Sequence, residues 1–152
     1  MATSILEDRV AAVRQFNRFF TRRIGVLREG LLHSPYSLTE ARIVFELAHC
    51  PDLTSSDVCR ELGLDAGYLS RILARLEQQG LLEKVRSETD GRERLLRLTS
   101  EGEKAFALLD QRSRDEVAQM LTELSEENQQ HLLKAMATIQ GVLGTILSTG
   151  TK

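Results

Sequence analysis

Apolar residues recur at three- and four-residue steps through most of the chain, which is the spacing of amphipathic helices. The helical stretches are residues 5–31, 38–49, 54–62 and 65–79, a long stretch begun by Thr99 or Ser100, and residues 125–147. Two shorter segments, 81–86 and 92–98, are typical of strands and flank the hairpin dipeptide Asp90-Gly91. The pattern therefore predicts the order helix, helix, short helix, helix, hairpin, helix, helix.

Residues that cap helices stand where the periodic stretches begin. Ser37 with Glu40, and Thr54 with Asp57, have the spacing of a capping box, in which each partner accepts a backbone N–H of the other. Further predicted caps are Asp65 and Ser125 at helix starts and Gly80 at a helix end. The caps and the periodicity thus predict the same boundaries.

Composition and charge narrow the class of protein. The 152 residues are 41% hydrophobic, which suits one compact domain or one domain with an added oligomerisation element. The net charge of −2 does not indicate a nucleic-acid partner. The charge is uneven, however, since residues 5–31 contain six arginines and only three acidic residues. We see no membrane-length apolar run and no signal peptide, so we expect a cytoplasmic protein without a membrane partner. The scattered histidines and two cysteines lack metal spacing, so no metal or cofactor is expected.

Residues 54–62 and 65–79, joined by "LGLD", have the pattern of a helix-turn-helix. The second helix carries its apolar stripe on one side, at Leu69, Ile72, Leu73 and Leu76. Its opposite side has no acid; it holds Gly67, Ser70, Arg71, Ala74 and Gln78, flanked by Tyr68 and Arg75. Small residues allow close approach to a surface, and arginine recognises guanine edges. The face predicts a DNA-reading helix, the alternative being a solvated helical hairpin within a bundle.

Arginines surround the predicted hairpin turn, at positions 86, 92, 94 and 97. An arginine at such a tip suits the narrow, negative minor groove of A·T-rich DNA, and Arg92 is the candidate. We expect Asp90 to hold a neighbouring guanidinium, and some of the strand arginines to brace the sheet. The alternative is a solvated hairpin, since Glu83, Glu88 and Glu93 are interspersed.

The stretch "DVCRELGLDAGYLSRILARLEQQGLLEKVRSETDGRERLLRLTSEGE" resembles the MarR family of bacterial winged helix-turn-helix regulators. The resemblance implies a dimer whose interface is built from the N- and C-terminal helices. It places Asp90 and Arg92 in the wing Asp-x-Arg motif, and Ser70 and Arg71 on the recognition helix. The beginning of the chain also resembles MarR-type regulators fused to a GNAT acetyltransferase. No acetyl-CoA-binding loop accompanies it, so no enzymatic activity is implied.

These inferences predict a mainly α fold with a small β-hairpin wing and long terminal dimerisation helices. The expected domains are an N-terminal dimerisation helix (1–35), a winged helix-turn-helix (36–99) and C-terminal dimerisation helices (100–152). The expected function is a ligand-responsive repressor that binds a pseudo-palindromic double-stranded DNA operator as a homodimer. Alternatives are the regulatory module of a MarR–GNAT N-acetyltransferase, or a winged module that binds protein. The predicted DNA-binding residues are Thr54, Ser55, Gly67, Tyr68, Ser70, Arg71, Arg75, Gln78, Arg86, Asp90, Arg92 and Arg94.

Two weaker signals concern regulation. Cys50 and Cys59 are expected to be buried thiols rather than oxidant sensors, because free cysteine usually behaves as a small hydrophobe. A small-molecule effector is possible, but the sequence does not identify its site. The aromatic side chains Phe16, Phe19, Phe20 and Tyr36 either line a ligand cavity or pack in the core or dimer interface.

Overall fold

A computed structural model describes residues 2–24 and 34–149, with side chains up to residue 144. Its elements are α1 (Ala2–Arg23), α2 (Leu38–His49), α3 (Ser55–Leu62), α4 (Ala66–Gln78), β1 (Leu82–Arg86), β2 (Arg94–Leu98), α5 (Ser100–Thr122) and α6 (Glu126–Thr149). The predicted fold class, mainly α with a small hairpin, is confirmed. The chain forms two compact units, residues 1–111 and 112–152, and the boundary lies within α5.

The helices begin where side chains satisfy their first free N–H groups. The Ser37 hydroxyl accepts the Glu40 N–H at 3.2 Å, while Glu40 Oε1 accepts the Ser37 N–H at 3.3 Å. Thr54 and Asp57 make the same reciprocal pair at 3.2 and 3.0 Å. Both predicted capping boxes are therefore confirmed. The first helix differs from its prediction: it begins at Ala2, and the predicted segment beyond residue 24 lies outside the described residues.

One hydrophobic core holds the helix-turn-helix and hairpin together. It takes Ile43 and Leu47 from α2 and Val58 from α3, all at most 4% exposed. Its other buried members are Leu69, Ile72, Leu73, Leu76, Leu81, Leu82 and Leu96. The stripe predicted for α4 is thus fully buried. Burial of each large aliphatic side chain stabilises the fold by about 1.5–3 kcal/mol. Burying this stripe directs the opposite side of α4 outward.

The two strands pair antiparallel, from Leu82 opposite Leu98 to Arg86 opposite Arg94. The hairpin is confirmed, but its connection spans residues 87–93 and is longer than a turn at Asp90-Gly91. A two-residue Asp-Gly hairpin turn needs positive φ at both positions. Gly63 and Gly80 are the glycines with positive φ in the described residues, and Gly91 is not among them.

Contacts from outside the hairpin hold its base. The Leu96 N–H donates to the Leu53 carbonyl at 2.8 Å, so a short bridge before α3 extends the sheet. The Leu81 carbonyl accepts the Thr99 N–H at 3.0 Å. The first turn of α5 rests on that carbonyl at Gly102, where an added Cβ would lie 2.0 Å from the oxygen. A glycine is therefore required at this close approach.

The terminal helices expose their apolar stripes in the single chain. None of the α1 residues is buried. Its exposed large apolar side chains include Ile5, Leu6, Val10, Val13, Phe16 and Phe19, and those of α6 include Leu133, Met136, Ile139, Val142 and Leu143. Within residues 2–24 and 34–149, no helix has the length and apolar character needed to cross a membrane.

Candidate nucleic-acid interface

The turn between α3 and α4 determines how α4 is presented. Gly63 adopts the left-handed conformation that ends α3, with φ of 63°. The Asp65 carboxylate then accepts the Tyr68 N–H at 3.1 Å and caps α4. Since the stripe is buried, the predicted reading residues of α4 are all exposed; they are Gly67, Tyr68, Ser70, Arg71, Arg75 and Gln78.

The two arginines of this helix have different surroundings. In the described part of the chain, the Arg71 guanidinium makes no ion pair or hydrogen bond, and it is available to an external acceptor. Arg75 instead lies with Nη1 3.6 Å from Oε1 of Glu40, whose side chain is only 7% exposed. Arg75 therefore has an intramolecular partner that the sequence did not predict.

At the start of α3, the two predicted contact residues also differ. The Thr54 hydroxyl is engaged in the capping box, while Ser55 is exposed. The hydrogen bonds from the Thr54 backbone and side chain, and the charge of Arg60 at 2.8 Å, hold the pKa of the Asp57 carboxyl below its usual value. Thr54 thus fixes the helix start, and Ser55 is the more accessible of the pair.

The connection at the tip of the hairpin is internally hydrogen-bonded. Ser87 is buried, and its hydroxyl accepts the N–H groups of Thr89 at 3.3 Å and Asp90 at 3.2 Å. Asp90 Oδ1 accepts the Arg92 backbone N–H at 3.0 Å. The prediction that Asp90 holds a guanidinium is therefore wrong: it holds the backbone of the loop. A serine hydroxyl bonded to following N–H groups is a common turn device, so the "SETD" stretch carried a signal that we missed.

The strand arginines fall into two groups. Arg86 and Arg94 are exposed and directly opposite each other at the end of the ladder. Like charges in that arrangement destabilise a hairpin, and an anion between them would relieve the repulsion. Arg97 instead donates from Nε to Asp52 Oδ1 at 2.6 Å, and this bond raises the pKa of Arg97. The expected bracing role is confirmed for Arg97, through an acid 45 residues away in sequence.

The regulatory expectations are changed by the structure. Cys50 is exposed, so its predicted burial is wrong, while Cys59 is partly buried against the core. Phe16 stacks on Phe20 within α1, with ring centroids 5.6 Å apart, whereas Tyr36 packs against the winged-helix core. A cleft of about 480 Å³ is found elsewhere; it is lined by Leu47, Ala48, Pro51, Arg97, Leu98, Glu103 and Phe106.

A helix-turn-helix followed by a hairpin on one core defines a winged helix-turn-helix protein. Residues 34–93 match the model of the MarR family. It is 34% identical over 94 residues to the organic hydroperoxide resistance transcriptional regulator of Bacillus subtilis. That match covers 62% of this chain and 60% of the relative, so the chain spans about three fifths of that curated protein.

Solved structures share the fold over most of their length. Streptococcus pneumoniae FabT, crystallised in complex with DNA, aligns with a TM-score of 0.71 at 24% identity, covering 94% of this chain and 98% of FabT. PcaV from Streptomyces coelicolor, crystallised with its natural ligand, aligns with a TM-score of 0.64 at 25% identity, covering 84% of this chain and 89% of PcaV.

Proposed function

We propose that this protein is a transcriptional regulator that binds double-stranded DNA through α4 and the hairpin. The observation that carries the proposal is the outward face of α4, where Arg71 is central and has no intramolecular partner in the described residues, while Glu77, the one acid of α4, lies at the edge of that face. Arg71 recognises a base edge in the major groove, and Arg92 occupies the adjacent minor groove. Arg86 and Arg94, with Ser55 of α3 and Ser70 and Gln78 of α4, contact phosphates. The FabT complex with DNA supports this use of the fold.

The active form is a homodimer on a pseudo-palindromic operator. The exposed stripes of α1 and α6 support this proposal, because one small chain does not normally leave two long apolar helix faces in water. A twofold dimer would bury them and present two copies of α4 about 34 Å apart, one turn of DNA. In this arrangement residues 1–35 and 100–152 form the interface and residues 36–99 bind DNA.

The protein acts as a repressor whose affinity for DNA falls when a small ligand binds. The half-open cleft of about 480 Å³ is the site we propose for the ligand, since its volume is within the usual range and its lining combines apolar side chains with Arg97 and Glu103. The PcaV structure with a natural ligand shows that a protein of this fold accepts one. Thermal unfolding of the protein with a panel of small aromatic and aliphatic acids would identify a ligand by a rise in Tm.

DNA selection tests the central proposal. Genomic fragments bound at fixed salt are sequenced to define the operator, and affinities are then measured for Arg71→Ala and Arg92→Ala. We expect Arg71→Ala to cost about 1–3 kcal/mol and to remove the preference at one base in each half-site. Arg92→Ala should lower the slope of log affinity against log salt by about two for a dimer, and should weaken binding most on A·T-rich flanks.

Arg42→Ala is the matched control, because Arg42 is an exposed arginine of α2 that pairs with Glu46 at 3.6 Å. It should leave affinity, base preference and salt slope at the parental values. If Arg71→Ala and Arg92→Ala behave like this control, α4 and the wing do not contact DNA and the proposal fails.

A further inference from the structure

Glu40 is a buried carboxylate at the start of α2, outside the set of residues proposed to contact DNA. It is 5% exposed, and burial of a carboxylate is costly unless partners satisfy its charge. Its Oε1 accepts the Ser37 N–H at 3.3 Å and lies 3.6 Å from Arg75 Nη1. A carboxylate that caps a helix does not need to be buried, since the Asp57 side chain caps α3 and is 37% exposed. The burial therefore requires a second explanation.

The Arg75–Glu40 pair joins two elements that are distant in sequence. Arg75 belongs to α4, one helical turn after Arg71 and close to the same side of the helix. The core stripe of α4 holds the helix by close packing of buried apolar side chains. The contact with Arg75 is an ion pair at 3.6 Å, and the Glu40 carboxylate that makes it is held in place by its own hydrogen bond from the Ser37 N–H. The pair thus adds a charged contact between α4 and the beginning of α2 to the apolar packing of the helix.

We propose that Glu40 is a positioning residue for DNA recognition: through Arg75 it sets the direction in which Arg71 points. Arg75, which is paired with Glu40, then contributes to the orientation of the helix rather than to phosphate binding. This inference rests on the proposed function and adds to it a determinant of base specificity that does not touch DNA. It also revises Arg75, which the sequence placed among the DNA-contacting residues.

The test compares Glu40→Gln and Arg75→Ala with the parent on two DNAs. One is the selected operator, and the other has a change at the base whose preference Arg71→Ala removes. Glutamine keeps an oxygen for the Ser37 N–H and removes the charge, so α2 retains its cap. Glu46→Gln is the matched control, because Glu46 also lies on α2 with an arginine 3.6 Å away, but that partner is Arg42 of the same helix.

We expect Glu40→Gln to lower operator affinity about two- to fivefold, the usual contribution of an ion pair with one exposed partner expressed as an equilibrium constant. The ratio of affinities for the two DNAs should fall, because a rotated α4 no longer aligns Arg71 with its base. Arg75→Ala should change the ratio in the same direction and leave the salt slope at the parental value. Glu46→Gln should match the parent in all three measurements. Circular dichroism at the assay temperature checks that each variant is folded.

Four results would overturn the proposal. If Glu40→Gln weakens both DNAs equally, the pair only stabilises the fold, and if it changes neither, the pair has no role in recognition. If Arg75→Ala lowers the salt slope as Arg92→Ala does, Arg75 is a phosphate contact. A parent protein that selects no DNA sequence refutes the proposed function and this inference together. A parent that selects an operator, with Arg71→Ala impaired and Glu40→Gln parental, refutes the inference alone.

Discussion

Gly102→Ala tests how the wing is joined to α5. An added Cβ would lie 2.0 Å from the Leu81 carbonyl oxygen, 3.0 Å from its carbon and 3.2 Å from the Leu98 Cβ. The oxygen belongs to the backbone and accepts the Thr99 N–H, so it cannot move away without loss of that bond. The start of α5 must therefore shift by more than an ångström relative to the strand.

The expected magnitude combines three effects. Overpacking at a close contact costs about 1–3 kcal/mol, and loss of the bond from the Thr99 N–H costs about 1 kcal/mol more. Alanine recovers about 0.5–1 kcal/mol, since it is a better helix residue than glycine. The net loss is about 2 kcal/mol in the free energy of unfolding, which corresponds to a fall in Tm of about 4–8 °C for a chain of this size.

Urea and thermal unfolding followed by circular dichroism measure the loss at one fixed protein concentration, since a dimer's stability depends on concentration. Gly91→Ala is the control: Gly91 has nothing within 4 Å of its Cβ position and does not need a positive φ. Its unfolding free energy should stay within about 0.5 kcal/mol of the parent. If Gly102→Ala is as stable as Gly91→Ala, then α5 does not rest on the Leu81 carbonyl and the described junction is incorrect.

Three further predictions concern acid, thiols and assembly. Hydrogen bonds to the Asp57 carboxylate depress its pKa below the ordinary value of 3.8. The carboxylate therefore stabilises the folded state fully above about pH 3.8, and this stabilisation is lost as the pH falls further. The difference in unfolding free energy between the parent and Asp57→Asn should thus be constant near neutrality and shrink below about pH 4; a constant difference at all pH values would contradict it. Iodoacetamide should alkylate the exposed Cys50 well before Cys59 in mass spectra, and equal rates would argue against the described exposure. Deleting residues 125–152 should give a monomer or an aggregate by light scattering, and a stable dimer that binds DNA would contradict the proposed interface.

Local signals in the sequence predicted the elements and their order. Helix starts depend on side chains three residues apart, as at Ser37 and Glu40, so their geometry is encoded within one turn. The stripe of α4 has the period of a helix facing one core, and its burial follows directly. The exposure of the opposite face of α4 was predictable for the same reason, since it is what remains when the stripe is buried.

The features that were missed depend on the approach of distant segments. The partners in the Arg97–Asp52 and Arg75–Glu40 pairs lie in different elements, and no spacing rule connects them. The wing connection was predicted too short because strand pairing ends at Arg86 and Arg94, while Ser87 and Asp90 organise the residues beyond. The exposure of Cys50 followed from its position as the C-terminal cap of α2, which periodicity alone does not orient.

The bridge between Leu53 and Leu96, and the bond from Arg97 to Asp52, hold the base of the hairpin to the segment that precedes α3. The wing therefore moves together with the helix-turn-helix and cannot adjust its distance from α4 independently. On DNA, the separation between the proposed base contact of Arg71 and the proposed minor-groove contact of Arg92 would be a fixed number of base pairs. Base substitutions within a half-site would therefore leave the spacing of these two contacts intact. An insertion or deletion between the two positions would allow only one of the two contacts to form.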